Sequence, residues 1–532
     1  MKTVNKKDLY SILFLTIIYV LCFSLTKDTI LNNSDSIFLI NRAKQMIDCI
    51  KDGNIPFFYY NDFNGVGYGS SFFYGHLTLY PFLPLLLVSD ACFMTGYTIA
   101  IYIINFIGVY KLSQRLTDNY KLVTVLYMSS TFMLTYTFYI SLYTNLLGVG
   151  LSFMFIAHVI DYMKHASRKS LLLSGVYYFL IINTHLLSAV ISFLCTIIIL
   201  VYYFDKKRLK SYVKFALYIC LLCSYFIANF FYHSECINNL NEINKYIFSD
   251  SRFLDRYTIP IFPFELLGKC ILKQDYNGIN IVDLITLIFL ILTLYKNKKL
   301  IEKKKKVLLA FVVLILIFSL KPIWAWFNTN VFMLPFQFSF RLLPYIMITV
   351  YSIILDKVNS KDTKLYIIVW NFIYLTIFVI FLSLLSSPRS INNDNIAIGN
   401  GEYLSSNFGC SAEEFSVMSS SITDNEGNLY NFIKEAGAIK FDISAERDLV
   451  LTLPSLYYKG YVAYLDDSKE LEVSEGYSQF VKLYIPSGTD GHISVYYKHP
   501  VILILLDLMC LIIVSVSIFR LNYKYYRKES KL

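Results

Sequence analysis

Long apolar runs divided by short basic clusters govern what this chain can become. Hydrophobic stretches fall at about 9–26, 91–110, 122–140, 145–162, 171–184, 186–204, 213–231, 281–295, 307–323, 340–355, 365–386 and 500–519. A helix that crosses a bilayer core needs roughly 20 such residues. Between the runs lie Lys2/Lys6/Lys7, Lys111/Arg115/Lys121, Lys164/Arg168/Lys169, Lys206/Lys207/Arg208/Lys210, the run Lys296 to Lys306, Lys357/Lys361/Lys364, and the tail from Arg520 to Lys531. Cytoplasmic loops concentrate Lys and Arg, and twelve crossings with the N-terminus inside put every cluster on that side. The pattern predicts an all-α polytopic protein of about 12 transmembrane helices in the plasma membrane, with both termini cytoplasmic. The runs near 171–184 and 307–323 are short and predict tilt or local bilayer thinning. The piece 77–88, with Pro81 and Pro84, is too short to cross and reads as interfacial or re-entrant.

Of the 532 residues 56% are hydrophobic and 16% charged, which excludes a soluble enzyme with a large core. The net charge of +10 sits in the clusters above, so it reports topology and gives no reason to expect nucleic acid. The ten cysteines are scattered along the chain, and the C-x-x-C spacing of Cys220 and Cys223 lies inside an apolar run. Cys22, Cys195, Cys220, Cys223 and Cys510 fall in apolar runs as small core residues. Cys236 and Cys270 share one outward loop and form a candidate disulfide. The first run lacks a small-residue cleavage site and reads as a retained anchor.

On this topology the long loops share the outer side. The membrane domain spans 1–386, with its first outward loop at 28–81. Residues 387–499 are Asn-, Ser- and acid-rich and alternate in strand fashion at 448–454, 460–465, 479–486 and 492–497. They predict a small extracytoplasmic β-sandwich-like domain. Residues 500–532 return through the last span to a basic tail.

The first loop carries most of the candidate chemistry. Ser34 or Asp35 precedes an amphipathic helix over about 36–52, with Ile37, Phe38, Ile40, Ala43, Met46, Ile47 and Ile50 on one stripe and Gly53 as the stop. Asp35 reads in two ways: as the helix cap, or as a carboxylate that takes a proton from an attacking hydroxyl. The turn NDFNGVGYGSSFFYGH (61–76), with Asp62, Tyr68 and Tyr74, suits close backbone approach and an aromatic wall for sugar rings. It equally suits a tight interfacial loop. Arg341 stands just inside the outer end of a span, with Gln337 one turn before it. It reads as a lipid-phosphate ligand or as a snorkelling cation. His185 at an outward helix tip, and Arg252 with Arg256, are further candidates for substrate or phosphate. No D-x-D in an outward loop, no H-E-x-x-H and no paired His/Cys set is present, so no metal ligand set is assigned and a divalent cation has no motif behind it.

Taken together, Asp35, Arg42, Gly53-Asn54-Ile55-Pro56, Gly65 to Gly69, Phe72 to Tyr74, NTHLL around His185, QFSFR ending at Arg341, and PSLYYKGYVAYLDD (454–467) resemble the bacterial YfhO-like membrane proteins. They also resemble the related family labelled "6-pyruvoyl-tetrahydropterin synthase-related" membrane proteins. Such proteins look like GT-C glycosyltransferases. The resemblance implies a polyprenyl-phosphate-linked sugar as donor, a cell-envelope glycopolymer as acceptor, Asp35 as base and Arg341 beside the lipid phosphate. The zinc-binding histidine set of a pterin synthase is absent. Two other readings stay open: a non-catalytic scaffold or accessory protein that binds envelope polysaccharide, and a lipid-linked sugar flippase. Sparse charge inside the spans gives the flippase no polar path.

Overall fold

The computed structural model describes residues 6–138, 142–237, 339–355, 404–405, 407–422 and 428–529. Helix α1 (Lys6–Leu31) leads directly into α2 (Ser34–Lys51), then the first loop and a short α3 (Leu83–Leu86). There follow α4 (Asp90–Leu116), α5 (Tyr120–Met128), α6 (Thr131–Phe138), α7 (Tyr143–His165), α8 (Arg168–Ile182), α9 (Leu186–Tyr202), α10 (Leu209–Tyr232), α11 (Leu343–Leu355), α12 (Ala412–Ser420) and α13 (Val501–Glu529).

Among the described residues four stretches are long and apolar enough to cross a membrane: Asp90–Leu116, Tyr143–His165, Lys206–Tyr232 and Val501–Leu521. Of the twelve expected spans the described residues support four, and where other described runs fall short the causes are local. The stretch 122–140 breaks at Ser129–Ser130, where each hydroxyl bonds a preceding carbonyl and Ser130 Oγ also accepts from Met133 N at 3.3 Å. The runs 171–184 and 186–204 become helices of 15 and 17 residues, separated by a turn at Asn183–His185. The run at 340–355 gives a helix of 13 residues. Those at 281–295, 307–323 and 365–386 lie outside the described residues. Residues 77–88 form only two short helical pieces.

The helices alternate between two ends. At one end the first loop meets the Asn183 turn, with Thr78 Oγ1 donating to Asn183 O at 3.4 Å, and the tip of α10, with Asn229 Nδ2 donating to Phe72 O at 2.6 Å. At the other end Arg115 holds Asp161 through two bonds of 3.2 and 2.7 Å, Arg208 donates to the carbonyls of Met163 and Lys164, and Asn119 donates to Leu355 O. The basic clusters of the described residues therefore gather opposite the first loop.

Helix α7 is the axis: 94% of its apolar window is buried, against 28% for the α10 stretch and 22% for α13. It reaches α4 through small residues. A Cβ on Gly108 would stand 2.4 Å from Gly150 O, while Asn105 Nδ2 bridges to Leu146 O at 2.9 Å. Close backbone approach of this kind is how apolar helices associate where water cannot drive them together.

The C-terminal sheet domain holds two antiparallel sheets, ordered β1-β2-β8-β4-β5 and β3-β7-β6. Strands β3 (Leu449–Leu456), β4 (Tyr461–Leu465), β7 (Phe480–Ile485) and β8 (Asp490–Tyr497) lie on the four alternating segments of the sequence. Two short strands, β5 (Lys469–Leu471) and β6 (Val473–Glu475), fall between them. Strands β1 (Asn428–Glu435) and β2 (Ala438–Ser444) add a hairpin that the alternation did not announce. Its turn places Ala436 and Gly437 both at positive φ, the geometry that matches strand twist. Leu451, Leu453, Leu483, Phe441, Ile493 and Val495 are buried in one core that continues into the helices.

Gly108→Val forces a branched side chain against a backbone carbonyl. It should destabilise the detergent-purified protein by about 1–3 kcal/mol, read as a lower melting temperature. Gly409→Ala, which has open space around it, serves as the matched control.

Candidate functional site

The first loop is a structural core as well as a surface. Tyr59 and Tyr68 are fully buried and form an isolated antiparallel bridge. Gly67 sits at φ 88° with the Phe58 ring 2.6 Å from where its Cβ would be, and Gly69 lies under the Tyr458 ring. Phe58 packs among Phe72, Tyr458, Tyr461 and Tyr497, while Phe72 stacks on His233 at 3.7 Å. The backbone joins in: Leu456 N donates to Val66 O at 2.8 Å and Asn54 Nδ2 to Ala436 O at 3.2 Å. Tyr68, expected to face sugar, is thus enclosed and offers no free face. Tyr74 remains half-buried.

Helix α2 begins one or two residues before the sequence reading placed it, and its cap is Asn33, whose side chain accepts from Asp35 N at 3.1 Å. Neither Ser34 nor Asp35 is the cap. Asp35 stands exposed in the first turn, where the helix dipole favours an anion. The buried face also differs from the expected stripe. Ser36, Leu39, Ile40, Arg42, Ala43, Met46 and Cys49 are buried, whereas Ile50 is 47% exposed. Arg42 was therefore missed as an interior residue. The available signal was its place seven residues after Asp35, two helical turns along nearly the same line.

Asp62 is buried, with Oδ1 accepting from Phe63 N at 2.9 Å. Burial lifts its carboxyl to about 6, against the lowering pull of that N–H and of Arg42. His76 is pushed down to about 4 by burial and by Arg42, so it is neutral at pH 7.

A second group lies on the same end. His185 caps α9, its Nδ1 accepting from Ser188 N at 3.2 Å, with Ser188 Oγ at 2.9 Å and Asn145 Nδ2 at 3.4 Å. It is 5% exposed, and burial together with the nearby Arg341 guanidinium holds it neutral. Arg341, also buried, enters from the 3₁₀ turn Ser339–Leu342 that precedes α11. The structure thus puts His185 within electrostatic reach of Arg341, and Asp62 within reach of Arg42. Gln337, Arg252, Arg256 and Cys270 lie outside the described residues. Among the described residues no group of three or more His, Cys, Asp or Glu is placed to hold a metal ion.

No family model, no curated protein and no solved structure matches this chain.

Because the folded state lifts the Asp62 carboxyl, it binds that proton more tightly than the unfolded chain. The stabilisation is complete near pH 4 and is lost as pH rises through about 6. Asp62→Asn should remove this slope. The wild type should lose roughly 2–3 kcal/mol relative to the variant between pH 4 and pH 7, measured by thermal unfolding across that range.

Proposed function

We propose that this chain is a membrane glycosyltransferase that moves a sugar from a polyprenyl-phosphate donor to a cell-envelope acceptor at the outer face of the plasma membrane. The observation that carries the reading is the gathering at one end of the helix bundle. An exposed carboxylate, Asp35, a buried cation, Arg341 beside neutral His185, and the sheet domain all stand opposite the basic clusters. With those clusters cytoplasmic, that end faces outward and both termini face in. The remaining crossings of a twelve-span topology belong to the same proposal.

The chemistry follows from the charges. Asp35 takes the proton of an acceptor hydroxyl as its oxygen attacks the anomeric carbon. The bond from that carbon to the phosphate oxygen breaks, and the lipid phosphate leaves with the electron pair. Arg341 meets the negative charge there, where a buried guanidinium is worth more than an exposed one. The sheet domain supplies a surface for the acceptor polymer.

Asp35→Asn keeps size and helix geometry but removes the base. Transfer from a polyprenyl-phosphate sugar, assayed in membranes with protein levels matched, should fall by about 10²–10⁴-fold. Undiminished transfer would remove Asp35 from the mechanism. Envelope glycosylation unchanged in both Asp35→Asn and Arg341→Gln cells would favour the scaffold reading instead. Deleting the sheet domain does not separate these readings, because it strips the cover from Phe58 and Phe72.

A further inference from the structure

A cavity of about 470 Å³ opens where the first loop, the β1–β2 turn, the end of β8 and the first turn of α13 meet. Its size falls inside the roughly 300–1,000 Å³ of small-molecule sites, which are mostly apolar and aromatic with a few polar groups. Phe57 and Tyr60 come from the loop, Ala438 from β2, Tyr496 and His499 from the end of β8 and just beyond it, and Ile504 from α13. The walls are fixed to one another. Asn54 Nδ2, at the exposed rim, bonds Ala436 O across the cleft at 3.2 Å. The Tyr60 hydroxyl donates to Asp52 Oδ2 at 2.5 Å, and the Tyr60 ring lies against Gly437.

Among the described residues no Asp, Glu, Lys or Arg lines this cavity. The His499 imidazole is neutral at pH 7, because burial pushes it down to about 4. An ion entering here would lose water and meet no counter-charge, so the cavity selects an uncharged ligand. His499 stacks on Phe57 at 4.2 Å and shares its Nδ1 with the Tyr497 hydroxyl at 3.2 Å, which leaves Nε2 buried without a partner. Such orphaned atoms are few in a folded protein. Whichever ring nitrogen carries the proton, a hydroxyl can give or receive the missing bond. The Tyr496 ring, half-buried and set beside Tyr464 at 6.2 Å, adds an aromatic surface. An uncharged molecule with several hydroxyls and an apolar face to lay on a ring is a sugar.

We propose that this cavity binds a neutral pyranose unit, with a sugar hydroxyl on His499 Nε2 and the apolar face of the ring against Tyr496. The site is separate from the transfer centre proposed above. Asp35 begins α2 and Gly53 follows its end, and a helix of 18 residues sets them about 27 Å apart. The cavity is thus a holding site for a glycan, and only a chain of sugars reaches from it to Asp35. It stands without the transfer reaction. The sugar belongs either to a soluble glycan or to a glycolipid whose chain lies along α13, where Val501, Ile502 and Leu505 are exposed.

The test uses the full chain purified in a polyoxyethylene detergent, which carries no sugar. Methyl glycosides of glucose, galactose, N-acetylglucosamine and rhamnose are titrated, with binding read by saturation-transfer NMR. At least one should bind with a Kd on the order of 1 mM. Methyl glucuronide should bind roughly tenfold more weakly, since its carboxylate finds no cation. For a glycolipid occupant, the dodecyl glycoside of the same sugar should displace the methyl glycoside at roughly tenfold lower concentration than the free sugar does; for a soluble glycan the two should match. Tyr496→Ala should weaken binding roughly tenfold. Ala438→Phe, which fills the cavity from the position paired with Tyr496, should abolish it. Both positions are partly exposed, so both variants should melt close to the wild type without sugar. Asp35→Asn should bind as the wild type does, which separates a failed site from a failed transfer. No binding of any neutral glycoside by the wild type would overturn the site and leave His499 Nε2 to an internal water. So would binding that both cavity variants retain in full, and a glucuronide bound as tightly as the neutral sugars would overturn the choice of an uncharged ligand.

Discussion

One aromatic knot joins the first loop, the tip of α10 and the sheet domain. Phe58 and Phe72 come from the first loop, His233 from the tip of α10, and Tyr458, Tyr461 and Tyr497 from the sheets. Aromatic pairs at such centroid distances contribute beyond their buried area, and a closed set of them resists sliding. The Tyr497 hydroxyl sits between His233 Nε2 and His499 Nδ1 at 3.4 and 3.2 Å, and His499 stacks on Phe57 at 4.2 Å. Burial holds both imidazoles neutral at pH 7, pushed down to about 3 and about 4. The knot therefore fixes the loop without introducing charge, and α2 keeps its position against the bundle because the loop cannot move away.

Much of the sheet domain was legible. Leu449, Leu451 and Leu453, like Phe480, Val481, Leu483 and Ile485, announce buried strand positions through apolar content and period-two alternation. The first hairpin was not legible, because Tyr430, Phe432 and Ile433 are exposed and leave little alternation to read. The helical part was legible in kind, and among the described residues four of the expected spans are long and apolar enough to cross. Apolar content marks a segment as buried or lipid-facing. It does not register a break such as Ser129–Ser130, where side-chain hydroxyls compete for helix carbonyls.

The site was legible in its charged residues and illegible in its depth. Asp35, Asp62 and Arg341 stood out by type, yet their roles rest on burial, which differs for each: Asp35 is exposed while Asp62 and Arg341 are enclosed. Arg42 lay inside an apolar helix face where a cation was not looked for. The glycines and aromatics of 65–74 read as a binding wall because stacking against sugar and stacking against protein use the same residues. The Phe58 ring against Gly67 and the Tyr458 ring over Gly69 show which surface they meet.

The order of synthesis gives the knot a further meaning. Asn54 bonds a carbonyl 382 residues later, and Tyr218 OH meets Ser517 Oγ across 299 residues at 2.7 Å. Loops closed over such separations form late. The first loop, made well before the sheets, is thus among the last segments to acquire its partners. Until the last helix and the sheets are made, its phenylalanines and tyrosines lack the rings that cover them in the folded chain.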